Sequence, residues 1–120
     1  MIKLLAGLPD NVVGISASGH VSASDYETVL APAVEAALKK NGKARLLYVL
    51  GSDFTGLTPG AMWEDAKLGI AHFTAWEKVA LVTDVGWVAN AANIFRFVMP
   101  CPVQVFSTND QVKAEAWVVA

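Results

Sequence analysis

Asp84 closes the apolar run Val79–Val82, and Asp53 follows the run Leu46–Leu50. Carboxylates at the carboxyl ends of parallel strands stand where open α/β sheets bind ligands, so both are candidates for polar chemistry. Asp84 is also placed to cap the helix that follows, and capping is the expectation. Glu64 and Asp65 adjoin in the first turns of a helix but project about 100° apart, so one helix cannot face them together as acid and base. Their place near the positive end of the helix dipole accounts for them. His20 and His72 are isolated, without a metal spacing such as HExxH. Cys101 is the single cysteine, flanked by Pro100 and Pro102, and reads as a small buried hydrophobe. No GxGxxG or GxxxxGK[ST] occurs, and the stretch 51–60 has no lysine to reach a phosphate. No nucleophile, base and orienter can be assembled. The expectation is no catalytic residue, no metal and no cofactor.

Two other groups of residues carry more. The segment GSDFTGLTPG holds Thr58 before Pro59, the pattern of an N-cap followed by a first-turn proline. Thr58 and Ser52 there are candidate phosphorylation sites. The second group is aromatic, with four tryptophans in 120 residues, a high load for a small core. Trp63 falls at the border of its helix's apolar arc, and Phe97 lies off the buried arc of its own. Phe54 and Leu57 read as loop residues. With Met62, Trp87 and Phe95 they form a candidate set that could ring an apolar pocket at the carboxyl edge of the sheet. Plain core packing and a self-association surface are the competing explanations.

The elements that must position these residues alternate along the chain. Ile2–Leu5 and Val12–Ser18 can pair as an antiparallel hairpin, the second strand alternating Val13, Ile15 and Ala17 against Gly14, Ser16 and Ser18. That alternation predicts a lightly covered face. Ser22 or Ser24 caps a helix with Tyr26, Val29, Leu30, Ala33 and Ala37 inward, ended by Asn41-Gly42. Pro32 inside it predicts a kink near Thr28 or a fresh start at the proline. Leu46–Leu50 and Val79–Val82 lack polar alternation and read as central strands. The helix between them places Met62, Ala66, Gly69, Ile70 and Phe73 on one arc and leaves Glu64, Asp65 and Lys67 outside it. A helix from about Trp87 to Val98 buries Trp87, Val88, Ala91, Ile94, Phe95 and Val98. Val103–Phe106 is an edge strand and Asp110–Val119 the last helix. The result is one α/β domain over 1–120, a mostly parallel five-stranded sheet with an antiparallel first strand and about four helices.

Bulk properties narrow the partners. The net charge of −2 is scattered, and the basic group Lys39, Lys40, Lys43 and Arg45 surrounds a helix end, where cations suit the dipole. Nucleic acid is not an expected partner, and membrane association is at most peripheral. No run reaches the ~18 apolar residues of a membrane span, and the N-terminal apolar stretch is too short for a secretion signal. A cytoplasmic protein is expected. The apolar surplus favours homo-oligomers.

The stretches DYETVLAPAVEAALKKNGKARLLYVLG, TPGAMWEDAKLGIAHFTAWEKVALVTDVGW and FRFVMPCPVQVF resemble the SpoIIAA-like bacterial proteins, relatives of the STAS domains of anti-sigma factor antagonists and anion-transporter tails. The resemblance implies a four-turn β-α superhelix with strands in sequential order. In the anti-sigma antagonists a phosphorylated serine in D-S-[SAT]-G heads the helix after a central strand. No D-S-x-G occurs here, and Thr58 stands nearest that place. The fold is also similar to lipid-carrying CRAL-TRIO domains. The resemblance implies no known activity; with the aromatic set beside it, the expectation is a non-enzymatic binding module for a lipophilic ligand or a membrane-associated partner, with a phospho-switched interaction domain as the alternative.

Overall fold

The run Leu46–Leu50 becomes the middle of a five-stranded sheet. A computed structural model of the protein describes residues 1–97 and 99–120; Val98 and the side chain of Phe95 lie outside the described residues. Strands β1 (Ile2–Leu4), β2 (Val12–Val21), β3 (Ala44–Leu57), β4 (Trp76–Val82) and β5 (Val103–Phe106) stand side by side in sequence order. β1 pairs antiparallel with β2, and every other pairing is parallel. Helix α1 (23–41) joins β2 to β3, α2 (Pro59–Ala71) joins β3 to β4, and α3 (Gly86–Phe95) leads toward β5. A single 3₁₀ turn, Thr108–Asp110, opens the last helix, α4 (Gln111–Val119).

Side-chain alternation in β3 divides the core in two. Tyr48 and Leu50 pack with Tyr26, Leu30 and Val34 of α1 on one face. Leu47 and Val49 pack with Ala114 and Val118 of α4 on the other. The α4 face also takes in the connection between β1 and β2. Gly14 belongs to it, because a Cβ there would lie 2.2 Å from Leu8 Cδ1. The lightly covered face expected beside Gly14 is therefore covered, by Leu5 and Leu8.

Helix α1 shows how Pro32 is accommodated. Ser22 caps it, bonding Asp25 reciprocally through side chain and backbone. An α-helical turn, Ala23–Asp25, passes into a π-helical stretch, Tyr26–Leu30, and then an α-helix, Ala31–Asn41. Pro32 has no N–H for the Thr28 carbonyl. The wider π turn absorbs the irregularity just before the proline, with the Ala31 N–H donating to the Tyr26 carbonyl. Gly42, at φ 76°, ends the helix.

Two expectations are corrected. The segment 51–57 is strand rather than loop, because β2 runs on to Val21 and pairs with it, Gly19 opposite Phe54 and Val21 opposite Leu57. The α2 and α3 helices are also turned differently from their expected arcs. Ile70 and Ile94 are each 73% exposed, and Ala66 faces solvent, whereas Asp65, itself exposed, borders the cavity with Leu68 and Gly69 and bonds Tyr26. Apolar residues occur almost all round α2, so their period does not set its rotation. Thr58 sets it, accepting the Ala61 N–H at 3.0 Å, together with the close approach of Gly60 to Ala23.

Candidate functional site

Helices α2 and α3 stand off the sheet and leave a half-open cavity of about 320 Å³. Its floor is the sheet face carrying Leu46, Tyr48, Leu50, Val79 and Leu81, and its walls come from α1, α2 and α3. Apart from three polar side chains on one side, Tyr26, Tyr48 and Asp65, and the indole of Trp76, the lining is aliphatic, aromatic or methionine.

Two irregularities in the sheet shape this lining. In β4, Ala44 pairs with Trp76 but Arg45 pairs with Lys78, so Glu77 is an extra residue. The bulge shifts the alternation and puts Trp76 on the same face as Val79 and Leu81 rather than with Lys78 and Ala80. Its indole Nε1–H is buried without a partner among the described residues. In β3, Gly56 has φ 148°, a conformation open to glycine, where the pairing with β2 shifts. Both Phe54 and Leu57 consequently reach the cavity despite their odd spacing.

The polar side is a short chain of hydroxyls ending on a carboxylate. Tyr26 donates to Asp65 Oδ1 at 3.0 Å, and the Tyr26 and Tyr48 hydroxyls lie 2.9 Å apart. An ionised carboxylate only accepts, so the Tyr26 proton points to Asp65 and Tyr26 accepts from Tyr48. Burial first, and the nearby Asp65 charge second, hold the Tyr26 phenol far above its ordinary range. Burial does the same to Tyr48. Both stay neutral donors. Burial also raises the Asp65 carboxyl, while the bond from Tyr26 pulls the other way. Asp65 is held against α1 by the Tyr26 bond, yet its side chain is exposed to solvent where it borders the cavity.

The candidate residues fall into separate places. Phe54, Leu57, Met62 and Trp87 line the cavity. Trp63, 64% exposed, and Phe97, 89% exposed, are outside its wall and face solvent. The side chain of Phe95 lies outside the described residues. Ser52 is exposed on the β3 extension, and the Thr58 oxygen is occupied as the α2 cap. Asp84 does not cap α3; it holds the turn before α4 by accepting from the Thr108 N–H at 3.1 Å and from its hydroxyl. Asp53 is exposed, and His72 bonds Glu35 at 2.8 Å. Burial pushes the Cys101 thiol up. Among the described residues no group of three His, Cys, Asp or Glu side chains could hold a metal.

Tyr26, Tyr48, Asp65 and Trp76 were not among the candidates. One signal for Asp65 was present, since Ala61, Asp65 and Leu68 follow the four-then-three spacing of one helix face.

The arrangement of strands and the helices over one face match a known family. A SpoIIAA-like family model matches residues 12–119. The chain belongs to the SpoIIAA-like family. Its fold is similar to the crystal structure of an uncharacterized protein of the DUF3478 family, with a SpoIIAA-like fold, from Shewanella loihica PV-4. The two share 24% identity at a TM-score of 0.74, covering 98% of this chain and 92% of the other. Comparison with curated proteins finds no match. No helix among the described residues is long and apolar enough to cross a membrane.

Proposed function

We propose that this SpoIIAA-like protein is a non-catalytic binding module for a small lipophilic ligand held between the sheet and helices α2 and α3. The cavity is the observation that carries this reading. Its volume, about 320 Å³, falls within the range of small-molecule sites, and apolar walls with a few convergent polar groups are what such sites present. Magnitude favours an occupant as well. At roughly 24 cal/mol per Å³, a sealed void of this size would cost about 8 kcal/mol, as much as the whole stability of many domains. Opening the cavity to water lowers that cost but leaves apolar surface wet. A lipophilic molecule would remove that surface from water.

The outward residues Trp63, Ile70, Ile94 and Phe97 extend the reading to self-association, since so much exposed apolar surface on two neighbouring helices favours a covering partner. Sedimentation at high concentration tests that part, and a monomer contradicts it. The alternative of a phospho-switch has less behind it, because the Thr58 oxygen is already engaged by the Ala61 N–H.

Native mass spectrometry of the protein as purified, followed by solvent extraction, tests the main reading. A co-purifying lipophilic molecule lost in Trp87→Ala is expected. A protein that stays empty even when offered medium-chain lipophiles contradicts it.

A further inference from the structure

The polar side of the cavity specifies more than lipophilicity. Resting on the reading above, we infer that the cavity selects a ligand whose apolar body ends in a hydrogen-bond donor, a hydroxyl or a protonated amine, bound at Asp65. Proton counting carries the inference. Tyr48 and Tyr26 hold one hydroxyl proton each, and both are used within the chain, Tyr48 to Tyr26 and Tyr26 to Asp65 Oδ1. What remains for a ligand is acceptor capacity: Asp65 Oδ2, which has no hydrogen-bond donor among the described residues, and the lone pairs of Tyr48. A ligand carboxylate would meet lone pairs and a like charge. A ligand hydroxyl or ammonium would complete the chain.

Charge points the same way. Among the described residues no lysine, arginine or histidine forms an ion pair with Asp65. An acid set among apolar side chains without a cation has its interaction left for the occupant to supply. Water contact and the Tyr26 bond both favour the ionised form that the proton count assumes. The Tyr26–Asp65 bond ties α1 to α2, and Asp65 borders a half-open cavity whose lining elsewhere includes Leu30, Leu50, Leu68 and Val88. The donor head is therefore recognised at one wall, with the apolar body lying along the sheet.

The test is a titration of tryptophan fluorescence at neutral pH with decanol, decylamine and decanoate, since Trp76 and Trp87 both line the cavity. Decanol and decylamine are expected to bind at least about ten-fold more tightly than decanoate, the value of one charge-assisted hydrogen bond. Asp65→Asn is expected to lose about ten-fold for decylamine and less for decanol, its fold checked by circular dichroism. If that variant does not fold, the ranking of the three heads on the natural protein decides alone. Equal affinity for all three overturns the head-group inference and leaves the cavity reading standing. Tightest binding of decanoate overturns it too, by showing Asp65 as a protonated donor. Binding of none of them overturns both.

Discussion

The two faces of the sheet use similar residues for different ends. On one face α4 lies flat against β3 and β4, and Leu47, Ala80, Val82, Ala114 and Val118 are fully buried. On the other, α1 packs as tightly near β2, but α2 and α3 leave the cavity over β3 and β4. Tyr48 and Leu47 are neighbours in one strand, one facing an opening and the other a sealed core. The difference teaches that the cavity does not come from a shortage of apolar residues. Ile70, Ile94 and Phe97, which could have filled it, face solvent instead. The α1 face holds the larger buried cluster, toward β2, and opens only over β3 and β4, whereas the α4 face is sealed where it covers those strands.

The largest effect should come from breaking the sealed face. Leu47→Ala is expected to lose about 3 kcal/mol in urea unfolding, within the usual range for a fully buried leucine. Leu68→Ala, in the cavity wall, is expected to lose less than about 1 kcal/mol, because it enlarges a space already open to water. Similar losses at the two sites would erase the contrast between the faces.

Filling the cavity sharpens the same contrast. A Cβ on Gly69 meets nothing within 4 Å, and the residue lies within α2 on the cavity wall. Gly69→Leu is expected to gain about 1 to 2 kcal/mol from helix propensity and filled space, and to abolish ligand binding. Thermal unfolding with and without decanol checks both. The Thr58 cap holds α2 at its angle over the cavity, and Thr58→Ala is expected to lose about 1 kcal/mol. Thr58→Ser should restore most of it.

The smallest effect is a pH dependence. Asp65 has its carboxyl raised in the native state, chiefly by burial. The native protein therefore holds that proton more tightly than the unfolded chain. The Asp65 contribution to stability is best at low pH and declines as pH rises from the ordinary aspartate range through the raised value. Asparagine cannot titrate. The stability of Asp65→Asn relative to the natural protein is thus expected to be greatest at neutral pH and to shrink on acidification, measured as paired unfolding curves. A difference independent of pH would mean that Asp65 titrates alike in both states.

Much of the fold was legible in the sequence because strands and helices alternate with clear punctuation. The antiparallel first strand, the Gly42 stop and the Thr58 cap followed from local residues, and the sequential strand order from the family resemblance. The site was only half legible. Phe54, Leu57, Met62 and Trp87 stood out as aromatic or apolar residues at the carboxyl edge. Trp76 did not, because a bulge at Glu77 decides which way it faces and leaves no periodic trace, and Tyr26 and Tyr48 read as plain core, one on the inward stripe of its helix and one in a central strand. Asp65 falls outside the arc through Met62, Ile70 and Phe73, so that arc gives no sign of its place beside the cavity. A helix apolar on several sides has no single inward arc, and the cap residue chose among them.

Indole N–H signals in a ¹⁵N spectrum test the central claim most directly, because the four tryptophans sample different places. Trp76 and Trp87 line the cavity, Trp63 faces solvent from α2, and Trp117 packs against Phe106 on the sealed face. With decanol added, the account predicts movement of the Trp76 and Trp87 signals while Trp63 and Trp117 stay in place. Movement of Trp63 with Trp76 unmoved would contradict it, showing apolar molecules gathering on the outer helices and leaving the cavity without an occupant.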